Sequence, residues 1–350
     1  MNKKITAITV AIVTVILSAC GGGSSSPTAS TTPPAGVNPA PAPNPVPAPA
    51  PVPPSLVTSV PTPTYAAGSN ELAFFNGLNS FRASLGLGLY TQNAKLDLSS
   101  KNHAAYIAKY ANYNPGGTID MSAVNATTGL LNAHSEDALP GATGATPIDR
   151  ARAAMYATDY VSEDGSFGSA AQALASVINT VFHRYSLMEQ VQRDIGIAFS
   201  NDSLNSSVIT LSTPQGVAGQ SVADDFTAIY PADKQTSVPL VSELEAPNPF
   251  SDITYGDYAT KTTSAISLMS KQFTTLAVVS FTVTEAGQTT PLPVRLLTQS
   301  TNATTQKYLG PNVAVIAGYA PFKSQTVYNV VFVGTVNGVP VAKNWSFTTA

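Results

Sequence analysis

Residues 194–200 read DIGIAFS and residues 207–212 read SVITLS, and these two segments set the fold class of the central part of the chain. Both are rich in β-branched and aromatic residues and are bounded by turn-forming ones, which predicts two strands. Apolar residues recur at helical spacing in segments before them, which predicts helices at 71–85, 96–110 and 168–181. A further helix is predicted at 146–156 from its start, Thr146-Pro147-Ile148-Asp149, where Thr caps, Pro suits the first turn and Asp meets the positive end of the helix dipole. Helices followed by a short sheet predict an α+β domain.

The C-terminal part of the chain has a different pattern. Its segments at 277–284, 292–297, 312–317, 328–335 and 339–348 read as strands. Asn337-Gly338 between the last two is the strongest short indication of a hairpin, because these residues tolerate positive φ. Several short, closely spaced strands predict an all-β sandwich with Trp345 buried inside it.

The N-terminal residues indicate export. A basic start precedes an apolar run, 5–17, that is shorter than the about 20 residues of a membrane-spanning helix, so 1–19 is predicted to be a signal peptide. The sequence LSAC at 17–20 resembles the lipobox of bacterial lipoproteins. That resemblance implies cleavage before Cys20, lipidation at Cys20 and a membrane-anchored chain on the outer side of the cytoplasmic membrane or at the cell surface. In a two-membrane envelope it implies the outer membrane. The alternative is a secreted protein in which Cys20 is incidental.

Residues 20–67 are predicted to form a disordered tether. Residues 21–26 are Gly and Ser only, and prolines recur from Pro27 to Pro63. Gly/Ser segments behave as flexible coil, whereas proline fixes φ and lacks an N–H, which favours extended polyproline II. Such a segment serves as a spacer between the membrane and the folded region.

Composition excludes some function classes. Charged residues make up 11% of the chain and the net charge is −3, so no nucleic-acid partner is expected. No HExxH, GxSxG, P-loop or GxGxxG motif marks a catalytic residue. Cys20 is the only cysteine, so no intrachain disulfide can form.

Three histidines, His103, His134 and His183, lie in the predicted α+β domain. The pattern around them resembles the CAP superfamily (cysteine-rich secretory proteins, antigen 5 and pathogenesis-related 1) in its bacterial members. The segments that carry the resemblance are LNSFR at 78–82, QNAKL at 92–96, HSE at 134–136, GATP at 144–147, HR at 183–184 and IGI at 195–197.

The C-terminal segments GTVNG at 334–338 and WSFTT at 345–349 resemble the Ig-like domain that often follows such CAP domains. Together the two resemblances imply a domain order. The expected order is a CAP-like α-β-α sandwich at 68–230, a Pro-containing connector at 231–262 and an all-β Ig-like sandwich at 263–350.

In the CAP superfamily, two His and two Glu line a cleft and hold a divalent metal in some members. Matched by position, His134 and His183 correspond to the histidines and Glu163 to the first glutamate. Val181 stands where many members have the second glutamate, and Glu136 is the candidate replacement. The resemblance implies a zinc-like ion on these side chains, since imidazole and carboxylate suit such ions.

The predictions for His103 and Glu136 are less specific. His103 matches no cleft position and is expected to be packed or at the surface. Glu136 stands beside Asp137 and is expected to be solvated if it is not a ligand. For the matched His and Glu residues, a hydrogen-bonded cluster that only braces the fold is the alternative to a ligand site.

Three functions fit these observations. The favoured one is a binding module for a small apolar, lipid-like ligand, a divalent metal or a cell-envelope partner, because enzyme motifs are absent from the sequence. The second is a metal-assisted hydrolase of peptides or cell wall, with Glu163 as general base between His134 and His183. The third is a structural or adhesive surface protein.

Overall fold

The computed structural model describes residues 56–350. The expected signal peptide at 1–19, the expected lipidation site Cys20 and the expected tether as far as residue 55 lie outside the described residues. Within 56–350, no helix has both the length and the apolar character needed to cross a bilayer.

Residues 56–67 belong to the folded body. The amide of Val57 donates to Gln220 Oε1 at 2.8 Å, and the carbonyl of Val57 accepts from the amide of Leu89 at 2.8 Å. The Tyr65 hydroxyl donates to Asp97 at 2.6 Å. The expected disorder is therefore wrong for 56–67, because these contacts with distant segments are not visible in a local Pro-rich pattern.

The first part of the fold is a four-stranded sheet with helices on both faces. Its strands are β1 (Thr91–Gln92), β2 (Val161–Ser166), β3 (Asp194–Phe199) and β4 (Ser207–Ser212), in the order β1-β3-β4-β2. Its helices are α1 (Asn70–Ser84), α2 (Ala94–Tyr110), α3 (Pro147–Ala153), α4 (Ala170–Ile178) and α5 (Phe182–Leu187). Helices α1 to α4 and strands β3 and β4 were expected, and the mixed composition agrees with the α+β class.

The alternation of side chains along β3 creates the three layers. Ile195 and Ile197 pack with apolar residues of α1 and α4, whereas Ala198 packs with residues of α2. Successive residues of a strand point to opposite faces of the sheet, so one strand supplies both interfaces. The order of layers is α-β-α.

Gly196 allows α2 to approach β3 closely. A Cβ atom at this position would collide with the backbone of Leu96 and Asp97 in the first turn of α2. In the same interface, the hydroxyl groups of Ser100 and Thr210 lie 2.7 Å apart and share a hydrogen bond. The absence of a side chain at Gly196 is therefore a packing requirement.

The second part of the fold is a β-sandwich. One sheet has the order β5-β7-β10-β9, and the other has the order β6-β12-β11-β8. Their strands are β5 (Thr227–Tyr230), β6 (Gln235–Val238), β7 (Ile266–Ser270), β8 (Leu276–Glu285), β9 (Val294–Leu297), β10 (Val313–Gly318), β11 (Val327–Val336) and β12 (Val339–Thr349). Two short helices, α6 (Tyr258–Lys261) and α7 (Ala303–Tyr308), join them.

The expected features of the sandwich are present. Apolar side chains of both sheets form one core, in which Trp345 is 5% exposed. Val336 pairs with Val339 across the hairpin, and Asn337 and Gly338 both have positive φ, 49° and 82°. Those angles are the ones a two-residue hairpin turn requires.

The sandwich starts earlier in the chain than expected. Strand β5 lies within the range 68–230, yet it pairs with β7. Strand β6 lies within the expected connector 231–262, yet it pairs with β12. Their pairing partners lie more than 30 residues away along the chain, and no local pattern in the sequence records such a pairing.

The two parts of the fold share a hydrophobic core. Val181, Phe182 and Met188 of the first part pack in one cluster with Phe250 and Val315 of the second. The guanidinium of Arg184 lies 4.5 Å from the ring centre of Tyr230. Residues 56–350 accordingly belong to one compact unit.

Replacing Gly196 with Ala should destabilise the protein by at least about 1–3 kcal/mol, because the new methyl group overpacks a backbone contact. Urea unfolding gives the change in free energy. Gly256→Ala is the matched control, since the nearest atom to its added Cβ, a Thr254 oxygen, is 3.8 Å away. Equal stabilities of the two variants would refute the packing requirement at Gly196.

Candidate functional site

The structure brings His134, Glu163 and His183 to the walls of the same two cavities. Their volumes are about 400 Å³ and about 570 Å³, and all three side chains line both. His134 ends a 3₁₀ turn, Asn132–His134, Glu163 lies on β2 and His183 lies in the first turn of α5. The side chains of His134 and His183 are 23% and 17% exposed, so both imidazoles are accessible from the cavities.

Glu163 is held by a buried guanidinium. Both its carboxylate oxygens accept from Arg150 Nη2, at 2.7 and 2.8 Å, and its Oε1 lies 3.1 Å from His134 Nδ1. Burial favours the neutral acid, but the charges of Arg150 and His103 and the contact with His134 outweigh it and hold the pKa of Glu163 well below its usual range. Glu163 is therefore an ionised group whose hydrogen-bonding capacity is largely used.

Glu136 and His103 form a second buried pair. His103 Nδ1 lies 2.9 Å from Glu136 Oε1, and Glu136 Oε2 accepts from the amides of Thr143 and Gly144. Both residues are buried, at 4% and 0% exposure for Glu136 and His103. The expectation of a solvated Glu136 is wrong, and Glu136 is not among the residues that line the two cavities. His103 is packed, which was one of its two expected positions.

Asp164 is a further acidic group at the cavities, which sequence reasoning missed. It follows Glu163 on β2, the edge strand of the sheet, and its Oδ2 accepts from the Ser186 hydroxyl at 2.8 Å. Because successive strand residues point to opposite faces, Glu163 meets Arg150 and Asp164 meets α5. Burial raises the pKa of Asp164 to about 6, although the nearby His183 lowers it.

The carboxylate beside His183 is Glu245. Glu245 Oε1 lies 2.8 Å from His183 Nδ1, and the carboxylate also accepts from the amides of Val181, Phe182 and His183 at 2.7 to 2.9 Å. Its side chain is 1% exposed. Sequence reasoning missed this residue, because it lies in the expected connector and no motif surrounds it. Glu136 does not take this place.

Glu189 is a further acidic residue in the lining of the larger cavity. Glu189 is 6% exposed and accepts from the Tyr160 hydroxyl at 3.3 Å. Burial raises the pKa of Glu189 to about 7, so this carboxyl group is partly protonated near neutral pH. The lining of the larger cavity therefore holds carboxyl groups in different protonation states, with Glu163 ionised and Glu189 partly protonated.

The observed contacts do not fit a metal site on His134, Glu163 and His183. A metal ion bound to Glu163 would have to displace the guanidinium of Arg150, whose positive charge opposes a cation at the same oxygens. The Nδ1 atoms of both histidines already face carboxylates. Within 56–350, no group of three or more His, Cys, Asp or Glu side chains has the geometry to hold a metal ion.

Comparisons with known proteins gave distant likenesses. No protein-family model matches the chain, and a search of curated proteins gave no significant match. Among solved structures, the chain is similar to an extracellular protein containing an SCP domain from Bacillus anthracis str. Ames, with a TM-score of 0.31, 14% identity and coverage of 41% of this chain and 40% of that one. It is also similar to an outer surface protein from Borrelia burgdorferi, with a TM-score of 0.33, 13% identity and coverage of 43% and 97%.

The chain thus spans less than half of the SCP-domain structure that it matches. Both TM-scores lie below 0.5, so neither likeness defines the fold or the function of this chain.

Replacing Glu163 with Gln should lower the free energy of unfolding at pH 7 by roughly 3–5 kcal/mol, because the buried charge of Arg150 loses its partner. The folded pKa of Glu163 is depressed, so its contribution is complete above the unfolded pKa of about 4.3 and is lost as pH falls through the folded value. The difference between wild type and variant should therefore shrink below about pH 4.3.

Urea unfolding between pH 7 and pH 2 measures this difference, with Asp225→Asn at an exposed position as the control. A deficit of Glu163→Gln that stays constant over the whole acidic range would contradict the assignment of the ion pair.

Proposed function

We propose that this chain is a bacterial CAP-like lipoprotein, anchored through Cys20 on the outer side of a membrane, whose cleft binds a small apolar, lipid-like ligand with a hydrogen-bonding head group. The residues of the lipobox support the anchor, and the segments at 78–82, 92–96, 134–136, 144–147, 183–184, 195–197, 334–338 and 345–349 support the CAP-like and Ig-like assignments. The observation that carries the binding proposal is the smaller cavity, which joins an apolar wall to accessible imidazoles.

The smaller cavity has the size and lining of a small-molecule site. Its volume of about 400 Å³ falls within the about 300–1,000 Å³ of typical ligand pockets, which are mostly apolar with a few convergent polar groups. Its apolar lining residues include Ile107, Met121, Leu131, Val177, Val208 and Leu244. An alkyl chain placed against these side chains gains about 25 cal/mol for each Å² of apolar surface removed from water.

The polar end of the cavity determines the head group. The charge of Glu163 is neutralised by Arg150, whereas Asp164 Oδ1 accepts no hydrogen bond from any donor within 56–350 and so can accept one from a ligand. With a pKa of about 6, Asp164 is mostly ionised at pH 7.5, so a hydroxyl head suits it and a carboxylate head is repelled. An uncharged lipid-like alcohol is the ligand class that this end favours.

Dodecanol should bind saturably at pH 7.5, and more tightly than dodecanoate, because Asp164 attracts a donor and repels an anion. Ser176→Trp should abolish binding, since Ser176 lies on the cavity wall and an indole would fill the space. Displacement of a fluorescent fatty-alcohol probe measures both effects.

Ala175→Trp, one residue earlier on α4, is the matched control because Ala175 is exposed and does not line the cavity. Absence of saturable binding to wild type, or equal loss in both variants, would overturn the proposed site.

A metal-independent hydrolase is a second candidate, favoured by one observation. Each accessible histidine has a carboxylate on Nδ1, and Nε2 of each has no partner within 56–350. A carboxylate that orients an imidazole in this way is a recurrent arrangement of general bases. Glu163 suits the base role less well than the histidines, because its oxygens are held by Arg150.

The hydrolase candidate predicts cleavage of peptide or cell-wall fragments that falls at least about 100-fold in His134→Ala or His183→Ala, the usual contribution of general acid–base catalysis. Measuring the cleavage rate with added zinc distinguishes this candidate from the metal-assisted hydrolase. Zinc should increase the rate of a metal-assisted hydrolase and leave that of a metal-independent one unchanged. Undiminished cleavage by both variants would exclude the two histidines from catalysis.

A structural or adhesive role is the third function, and a cell-envelope protein is its natural partner. Two results together would support this role. Wild type would show neither ligand binding nor cleavage, and His183→Ala would lower the thermal stability of the protein.

A further inference from the structure

We infer that the cleft is a composite site, in which Glu245, from the connection between strands β6 and β7 of the C-terminal sandwich, is the positioning residue of His183. The role of Glu245 in holding His183 follows from the contacts alone. The effect of Glu245 on ligand binding rests on the proposed function. Nothing in the sequence motifs assigns a part of the cleft to this segment.

The contacts of Glu245 exceed those of a helix cap. Three backbone amides at the start of α5 donate to its carboxylate, which satisfies donors that a helix start leaves free. The same Oε1 atom also lies 2.8 Å from His183 Nδ1. The carboxylate thus fixes both the backbone that carries the imidazole and the direction of its ring.

The ring orientation has a chemical consequence. With Nδ1 directed at Glu245, Nε2 is the nitrogen that remains for a ligand, and a carboxylate partner stabilises the Nδ1–H tautomer. Thr180 Oγ1 lies 3.4 Å from the same Nδ1, which is a weaker contact. His183 therefore presents a defined donor or acceptor atom because of Glu245.

The segment around Glu245 is also a wall of the cleft. Leu244, Glu245 and Ala246 all line the smaller cavity, and Ala246 and Pro247 line the larger one. The segment is tied to the first part of the fold, where Asn179 Nδ2 donates to the carbonyl of Val241 at 2.9 Å, and to the core that the two parts share through Phe250. Loss of the sandwich would remove both this wall and the partner of His183.

The titration of His183 reports the contact directly. The groups that face it are Glu245 from this segment and Asp164 from β2. Burial favours the neutral imidazole, but the hydrogen bond and charge of Glu245 outweigh it and raise the pKa of His183. Burial also opposes ionisation of Glu245. The contacts with the His183 imidazole and the helix amides outweigh burial and hold the pKa of Glu245 below its ordinary value.

The test uses the full chain labelled with ¹⁵N at its three histidines, with the signals assigned through His→Gln variants. In wild type, His183 should titrate above the ordinary value of about 6.5 and carry its proton on Nδ1 when neutral. In Glu245→Gln the pKa should fall by about 1–3 units, the effect of losing an adjacent opposite charge. Glu243→Gln, at an exposed position two residues earlier, should leave it unchanged.

Two results would overturn the inference: a wild-type His183 protonated on Nε2 when neutral, or an unaltered pKa in Glu245→Gln. The wild-type tautomer decides the question even if the variant fails to fold. Dodecanol affinity, measured in parallel, should fall at least tenfold in Glu245→Gln and not in Glu243→Gln. If wild type binds no dodecanol while the His183 shift is observed, the proposed function fails and the positioning role stands.

Discussion

The buried carboxylate of Glu245 links the start of α5, in the first part of the fold, to the connection between β6 and β7 of the sandwich. It accepts from three successive amides and from an imidazole, and its side chain is almost fully excluded from water. A carboxylate in that environment is costly unless its charge is compensated. The compensation comes from α5 in the first part of the fold, so the connection between β6 and β7 is fixed against the helix that carries His183.

The need to compensate a buried negative charge also applies to the other acidic residues in and near the cleft. Glu163 is compensated by Arg150, and Glu136 by His103 and two backbone amides. Among the described residues, Asp164 and Glu189 accept hydrogen bonds only from neutral donors, and burial raises the pKa of each carboxyl group. Carboxylates with a charged partner or several amide donors thus stabilise the fold, whereas within 56–350 Asp164 accepts only from the Ser186 hydroxyl. This difference is why we propose Asp164, which no motif marked, as the acidic group that contacts the head group of a ligand.

Much of the fold was predictable because its information is local. Helical spacing, a Pro at the start of α3 and the Asn337-Gly338 turn each report on a few neighbouring residues, and each corresponds to an element of the structure. Strands β5 and β6 were not predicted, because their pairing partners lie more than 30 residues away along the chain and no local pattern records that pairing. The packed segment 56–67 was missed for the same reason: its partners are Leu89, Asp97 and Gln220.

The candidate site also has features that the sequence predicted and features that only the structure revealed. The sequence by itself determined the export prediction and the α+β and all-β parts, because residue types and their order along the chain carry that information. The prediction of a lipid anchor and the choice of His134, Glu163 and His183 came from the resemblance of short segments to the lipobox and to the CAP superfamily. Only the tertiary structure decided which charges meet. It placed Arg150 on Glu163, buried Glu136 against His103 and brought Glu245 to His183 across 62 residues. Electrostatic pairing depends on distances of a few ångströms between segments far apart in the chain, and no local pattern encodes those distances.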